Sequence, residues 1–472
     1  MANEMRLKNP TALLCYFFLF STYSFASDYY CNPSTGHASN DGSFESPWGS
    51  LQTVFATGKI FMPGDIVYLM SGHHGSPTIK GNNLGYVTIK PMEGQNPTIE
   101  SIVLVGAKKW NLNGLTISPE TAPVFKKQKL IYLDKNSTDN IIDSCFIYTT
   151  SNSLVWSEAD WANKACPAIE IAGAKNNLIR NCNIKNIKFG IIIGKGADSC
   201  LIEHNIIENY MDDAIRGLAD YCIFQYNIVK TALYIDKNHD DGFQSWSLGP
   251  EKGPDGNYVG TGAVYGVILR GNTFIDIADA SRPFVNYRSN NHGIGCYGGM
   301  FVDWIVENNV VINNASEGII FFGAVNCKII NNTVIGSPFN LISNSPNRYA
   351  GIDVHTVQKR FLGIGPYGGL SKRNTLRNNL VTSITNRSRI GVDFDDHNIE
   401  IVDSAAYFMD YENFDFHLRY GSPAIGAGSP DQAPSIDIEG NTRPAGNGFD
   451  VGAYEYVSDP GTSPDVNETI IK

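Results

Sequence analysis

Apolar residues along this chain fall in short alternating runs, not at helical spacing. In the stretch 201–206, Ile202 and Ile206 share one side with His204, and polar or turn-forming residues fill much of the rest. A period of two marks strands. The runs are a few residues long and end at Asn, Asp, Gly or Ser, which favour tight turns. The pattern predicts an all-β chain of many short strands. Leu-, Ala-, Glu- and Lys-rich tracts of the kind that build coiled coils and helical bundles are missing.

The alternation itself repeats. Segments 178–184, 200–206 and 222–228 each set an Asn among apolar neighbours, at Asn183, Asn205 and Asn227. Later copies carry Asn272, Asn309, Asn332 and Asn379, so the separations are 22, 22, 45, 37, 23 and 47 residues. One base period, its double, and one period with an insertion account for the series. Short strands with a corner and an Asn every coil describe a parallel β-helix. Each coil leaves its strand edges open, so neighbours must stack to satisfy the backbone. Asn side chains at one corner can then bond up and down the stack. Cys200, Cys222 and Cys327 each lie five residues before a ladder Asn and are expected as small buried hydrophobes in one column. Cys145 and Cys182 align in adjacent units, which leaves a bridge between them open.

Both ends carry further motifs. Asp41-Gly42-Ser43, Ser46-Pro47-Trp48-Gly49-Ser50-Leu51-Gln52 and Pro63-Gly64-Asp65-Ile66-Val67 precede the repeats. There Trp48, Leu51, Val54 and Phe55 predict a short amphipathic helix that would close the solenoid end against edge pairing. Ser422-Pro423-Ala424-Ile425-Gly426, Asp437-Ile438-Glu439-Gly440, Arg443-Pro444 and Asp450-Val451-Gly452-Ala453-Tyr454 follow them. With these ends and the Asn repeats of 140–385, the chain resembles the secreted right-handed parallel β-helix proteins of the pectate-lyase-like superfamily. The resemblance implies a capped right-handed solenoid over most of 28–457. It also implies carbohydrate as the substrate class, since many members are polysaccharide lyases, hydrolases or epimerases and some are adhesins. The Asn-Thr-Asp, Gly-His-Gly and Arg-Ile-Lys set of β-helix polygalacturonases is absent, as is the Asn-Gly-Glu-x-Glu pattern of one alginate and chondroitin lyase family. Fold alone does not give function.

Candidate chemistry emerges when the second strand of each unit is stacked. Phe189-Gly190-Ile191 aligns with Asp213-Ala214-Ile215, Asp241-Gly242-Phe243, Arg282-Pro283-Phe284 and Glu317-Gly318-Ile319. The first column reads Phe189, Asp213, Asp241, Arg282, Glu317, and the column before it contains Lys188, Asp212 and Asp240. Parallel strands lie about 4.8 Å apart, so Asp212, Asp213, Asp240 and Asp241 would converge. Such like charges need a proton, a cation or an Arg to compensate them, and strongly coupled titratable groups mark functional sites. The column two residues after the Gly, Ala or Pro reads Ile192, Arg216, Gln244, Val285, Ile320. Insertions at 246–263, 287–300 and 343–373 bring loops beside the cluster, where binding residues gather. Trp246, Tyr258, Tyr287, Tyr297 and Trp304 offer ring faces to sugars. Arg288, His292 and Lys252 offer positive charge to uronate carboxylates.

Composition and charge narrow the partners. A formal net charge of −11 over 472 residues provides no overall cationic field for nucleic acid. An acidic glycan must therefore be held by local Arg, Lys or a bound cation. Arg6 and Lys8 precede the apolar run 13–20, and Ser24 and Ala26 form a small-x-small site. This predicts a signal peptide over 1–26 and a secreted, periplasmic or cell-surface protein. A single β-helix domain is expected over 27–457, with an N-terminal cap at 27–75, an end segment at 405–457 and a flexible tail at 458–472. No CxxC pair supports a zinc or thioredoxin site, and the chain is expected to act as a monomer.

Three chemistries compete for the cluster. In β-elimination on an acidic polysaccharide, Asp213 and Asp241 lie at the centre and Arg216, Gln244, Trp246, Tyr287 and Arg288 bind substrate. A cation held by Asp212 and Asp240 would neutralise the uronate carboxylate, and oxygen-only ligands suit Ca²⁺ rather than zinc. A base such as His239, Lys237 or Arg282 would take the C5 proton. In hydrolysis, Asp213 and Asp241 would act as the two carboxylates. An epimerase or a non-catalytic glycan-binding solenoid would use the same groove.

Overall fold

The computed structural model describes residues 26–235, 240–247, 262–285, 292–313, 317–338, 350–358, 363, 366–384 and 387–457. Residues 1–25 of the expected signal peptide and the tail 458–472 lie outside them. So do Lys237, His239, Lys252, Tyr258, Tyr287 and Arg288.

The chain winds into a right-handed parallel β-helix. Among the described residues three long sheets contain 13, 12 and 10 strands, and successive coils pair in parallel throughout them. The first sheet begins at Asp28–Cys31 and ends at Val392–Asp396. The third carries the candidate site, on the strands Ile191–Ile193, Ile215–Gly217, Phe243–Trp246, Ile294–Tyr297, Glu317–Phe322 and Gly351–His355. Each coil buries alternate side chains inside the tube. Ile131, Ile169, Ile191, Ile215, Phe243, Ile294, Ile319 and Ile352 form one such interior column in register. Stacking these identical contacts is the source of the core, because no coil buries its own apolar face.

Corners are set by residues that tolerate left-handed backbone. At the corner between the first and second sheets Ser144, Asn181, His204, Tyr226, Gly271, Asn308, Asn331 and Asn378 all have φ between 54° and 61°. Asn supplies that conformation at low cost. At Gly271 the ring of Tyr226 lies only 2.6 Å from where a Cβ would stand, so a side chain there would have to displace that ring.

The Asn ladder forms. Asn205, Asn227, Asn272, Asn309, Asn332 and Asn379 are buried, and each side-chain oxygen accepts from the main-chain N–H of the residue one coil earlier. Asn183 is not part of it. It is exposed in the strand Asn183–Ile187 and pairs with Ile206, whereas Cys182 takes the ladder position. The Cys182 N–H donates to Asn205 Oδ1 at 3.0 Å, and its thiol lies 3.7 Å from the Ile142 carbonyl oxygen. Two neighbouring polar residues made the register ambiguous by one, and a thiol can stand in for the amide as a weak donor. Cys145, Cys182, Cys200, Cys222 and Cys327 are buried free thiols, as are Cys31, Cys166 and Cys296.

The helix Leu51–Ala56 forms with Ser50 as its N-cap and buries Leu51 and Val54. At the other end, Arg443 is fully buried against Glu455 and reaches Asn308 Oδ1 at 3.1 Å. That anchors the end segment to the corner column of the solenoid. A second helix, Glu158–Lys164, closes with a capping box at Ser157 and Asp160. Its Trp161 packs with Met211, Leu233, Ile277 and Val285, so this excursion spans several coils beside the third sheet.

Candidate functional site

The site lies where the chain turns from the second sheet into the third. The first residue after this corner is followed by Gly or Ala in coil after coil, at Gly190, Ala214, Gly242, Gly293 and Gly318. A Cβ on Gly190 would stand 2.2 Å from the Ala214 carbonyl oxygen, and one on Gly242 would stand 2.8 Å from that of Gly293. Close stacking thus demands a small residue here and fixes the column just before it. That column is Phe189, Asp213, Asp241, His292, Glu317, because Phe243 pairs with Ile294 and Ile294 with Ile319.

Arg282 is therefore not in the column, contrary to expectation. It lies on the loop before it, and its Nη2 donates to Ser153 Oγ at 2.8 Å. The alignment failed for a physical reason that the sequence does contain. Arg282 is followed by Pro283, which has no N–H for the ladder, whereas His292 is followed by Gly293. In the sequence His292 reads only as a loop charge. Gly295 likewise replaces Val285 in the outward column that holds Arg216 and Gln244.

Successive coils are tied by their acids. Asp241 donates its N–H to Asp213 Oδ1 at 3.1 Å, and His292 donates its N–H to Asp241 Oδ1 at 3.0 Å. Charge compensation is built in. Arg216 donates from Nε to Asp213 Oδ2 at 2.5 Å and from Nη2 to Asp212 Oδ1 at 3.2 Å. Gln244 Nε2 donates to Asp241 Oδ2 at 2.7 Å, and the His292 ring holds Asp241 Oδ1 at 2.9 Å through Nδ1 and faces Glu317 at 3.7 Å through Nε2. Lys188 stands 4.0 Å from Asp212. Asp240 is buried beside them.

Exposure divides the cluster. The side chains of Asp213 and Asp241 are 0% exposed, whereas those of Arg216 and Lys188 are 21% and 31% exposed. The Arg216 guanidinium lies 4.3 Å over the Phe189 ring and 5.2 Å from that of Trp246. Acid forms the floor and cation faces outward. Tyr297 is half-buried, edge-on to His292 at 5.3 Å and stacked on Phe322 at 5.7 Å. Trp304 is a core residue, fully buried with its indole N–H on the Val264 carbonyl at 2.9 Å, and is no sugar platform.

Burial pushes the Asp213 carboxyl up to about 7, and the neighbouring Asp241 adds to this while Arg216 opposes it. Burial disfavours charge on His292, but its hydrogen bonds to Asp241 and Glu317 prevail and hold its pKa at about 9. His292 is thus a fixed cation at neutral pH. Its folded pKa exceeds the ordinary value near 6.5. The protonated ring therefore stabilises the fold fully below about pH 6.5, and that contribution is lost as pH rises through about 9. Roughly 3 kcal/mol is at stake for a shift of this size. Asp213 acts in the same sense at lower pH, since its pKa is also raised. Urea titrations between pH 6 and pH 9 should show wild-type stability falling with pH, and a shallower fall in His292→Gln. Equal slopes would remove His292 from this role.

The sites expected for Ca²⁺ were Asp212 and Asp240. Ca²⁺ takes six to eight oxygens, and here the oxygens of Asp212, Asp213 and Asp241 already accept from Arg216, Gln244 and His292. Among the described residues no group of three or more His, Cys, Asp or Glu is placed to hold a metal ion. Arg216 and His292 already place positive charge beside these acids.

No helix of the described residues is long and apolar enough to cross a membrane. No family model matches the chain, and no curated protein matches it. Among solved structures it is similar to the pectate lyase Pel9A, with 15% identity over 92% of this chain and 97% of that one and a TM-score of 0.47. A rhamnogalacturonan lyase shows 15% identity over 82% and 91%, with a TM-score of 0.44. A GH136 lacto-N-biosidase from Eubacterium ramulus shows 12% identity over 70% and 68%, with a TM-score of 0.42. These are likenesses of fold, and no residue or activity is carried over from them.

Proposed function

We propose that this protein is a carbohydrate-active β-helix that cleaves an acidic, uronate-containing polysaccharide by β-elimination. The observation that carries the proposal is the outward face of the site. Arg216, seated on buried Asp212 and Asp213 and flanked by Phe189 and Trp246, presents a fixed cation beside Lys188. A uronate carboxylate bound there is neutralised, which makes the C5 proton more acidic. A base removes that proton, the C4–O4 bond breaks, a C4=C5 double bond forms and the leaving oxygen takes up a proton. The base is assigned to His239, which adjoins Asp240 in the chain, or to Lys237 two residues before it, since Arg282 is drawn off to Ser153. Asp213 and Asp241 are positioning residues here, because neither exposes an atom to a sugar.

Hydrolysis by that Asp pair is the second reading, favoured by the raised pKa of Asp213. Its requirement that both carboxyl groups touch the sugar runs against their complete burial.

Incubation with polygalacturonate, alginate and glycosaminoglycans, with and without EDTA, tests the proposal. The expected result is the ultraviolet absorbance of an unsaturated uronate, in EDTA as well as without it. Reducing ends without that absorbance would establish hydrolysis instead. A polymer altered only in its NMR spectrum would indicate epimerisation, and binding without any product an adhesin. Loss of activity in EDTA, restored by Ca²⁺, would return the ion to Asp212 and Asp240.

A further inference from the structure

A lysine-rich segment that the proposed reaction does not use lies on the same side of the solenoid. Residues 118–130 join the strands Thr116–Ile117 and Ile131–Leu133, at the same corner between the second and third sheets as the site. They contain Lys126-Lys127-Gln128-Lys129, and all three lysines are exposed. In a chain of net charge −11 this is a local reversal of sign.

One chain of contact and one electrostatic influence tie it to Arg216. Lys129 pairs with Glu170 at 2.7 Å and lies over the Tyr132 ring at 4.3 Å. Tyr132, Glu170, Ile192 and Arg216 stand in register on four successive coils, so Lys129 lies over the start of the outward column that leads to Arg216. Separately, Lys127 donates to the Ala162 carbonyl at 2.6 Å. Lys188 shares Asp212 with Arg216. The pKa of Lys127 is lowered, by burial first and by Lys188 second. A ligand anion between these ammonium groups would relieve that repulsion.

We propose that Lys127 and Lys129 extend the site into a cationic track, which holds further carboxylates of an acidic polysaccharide on the N-terminal side of Arg216 and Lys188. The track crosses three strand spacings, about 14 Å, so it takes a chain rather than a single sugar. It rests on the proposed function for the class of ligand. The axis of the solenoid sets the direction of the bound chain, and the lysines set its charge.

Binding of polygalacturonate and alginate chains to the full-length protein, measured by calorimetry at low salt, tests the track. Fully methyl-esterified pectin serves as the uncharged control. The double variant Lys127→Ala/Lys129→Ala should weaken binding of at least one polyanion by about tenfold. Lys127→Arg/Lys129→Arg should retain it. The difference between variants should vanish near 1 M salt, where the screening length is about 3 Å. Because Lys127 also holds Ala162, the single variant Lys129→Ala, which leaves that contact intact, should show part of the loss. Unchanged polyanion binding in a folded double variant would overturn the track, as would equal weakening toward the esterified control. The two proposals fail separately. Charge-dependent binding without an unsaturated product refutes the elimination and keeps the track, whereas an unsaturated product with unaltered binding in the double variant does the reverse.

Discussion

Replacing Arg216 by alanine is expected to lower kcat/KM on an acidic polysaccharide by about 10²–10³-fold, the usual cost of deleting one preorganised group that stabilises developing negative charge. The same change strips the counter-charge from Asp213, whose side chain is fully buried. Removing one partner of a buried ion pair typically costs about 3–5 kcal/mol, so lost activity in the single variant could reflect lost fold. The double variant Arg216→Ala/Asp213→Asn removes charge from both sides. Its urea midpoint should return toward that of the wild type while its activity stays low. Stability is read by circular dichroism and activity by unsaturated product. A folded Arg216→Ala protein that retains activity within a few-fold would end the assignment of Arg216 as the carboxylate-binding group.

Asn309→Ala should be among the most destabilising single changes in the body of the solenoid. The Asn309 oxygen accepts from the Asn272 N–H and from Asn272 Nδ2, each at 3.0 Å. Its own Nδ2 donates to the Leu269 carbonyl at 2.9 Å and to Asn332 Oδ1 at 3.0 Å. Alanine leaves these partners buried without compensation, at about 1–3 kcal/mol for a buried group left unsatisfied. Allowing for relaxation, the expected loss is on the order of 4 kcal/mol in denaturant unfolding. Asn309→Cys should recover part of this, since Cys182 occupies the same column with its N–H on Asn205 and its thiol facing a carbonyl of the preceding coil. A cost below about 1 kcal/mol for the alanine variant would mean that the ladder is stabilised mainly by the apolar stack around it.

Much of the fold was legible because a solenoid repeats one local problem. Strand alternation, a corner residue that tolerates positive φ and a buried Asn recur in each coil, so each copy corroborates the others. The ladder was misread at Asn183 alone, where Cys182 stands in its place and the neighbouring Asn drew the register across by one. The site column was legible over the coils of Asp213, Asp241 and Glu317, where an acidic residue precedes Gly or Ala. It was misread where a loop intervened, because Arg282-Pro283 resembles the motif in charge and lacks the N–H and the small residue that stacking requires.

By itself the sequence determined an all-β solenoid, its period and the acidic cluster. These follow from periodicity and from the chemistry of single residues. Only the tertiary structure decided which groups face each other. It put His292 rather than Arg282 into the column, turned Asp213 and Asp241 inward as the floor, and left Arg216 and Lys188 outward as cations. It also set Lys129 over the start of the outward column that leads to Arg216. The physical reason is that a loop of any length can separate two stacked coils, so sequence distance does not fix spatial neighbours. Burial then determines the charge state of each acid and base, and burial is a property of the whole stack.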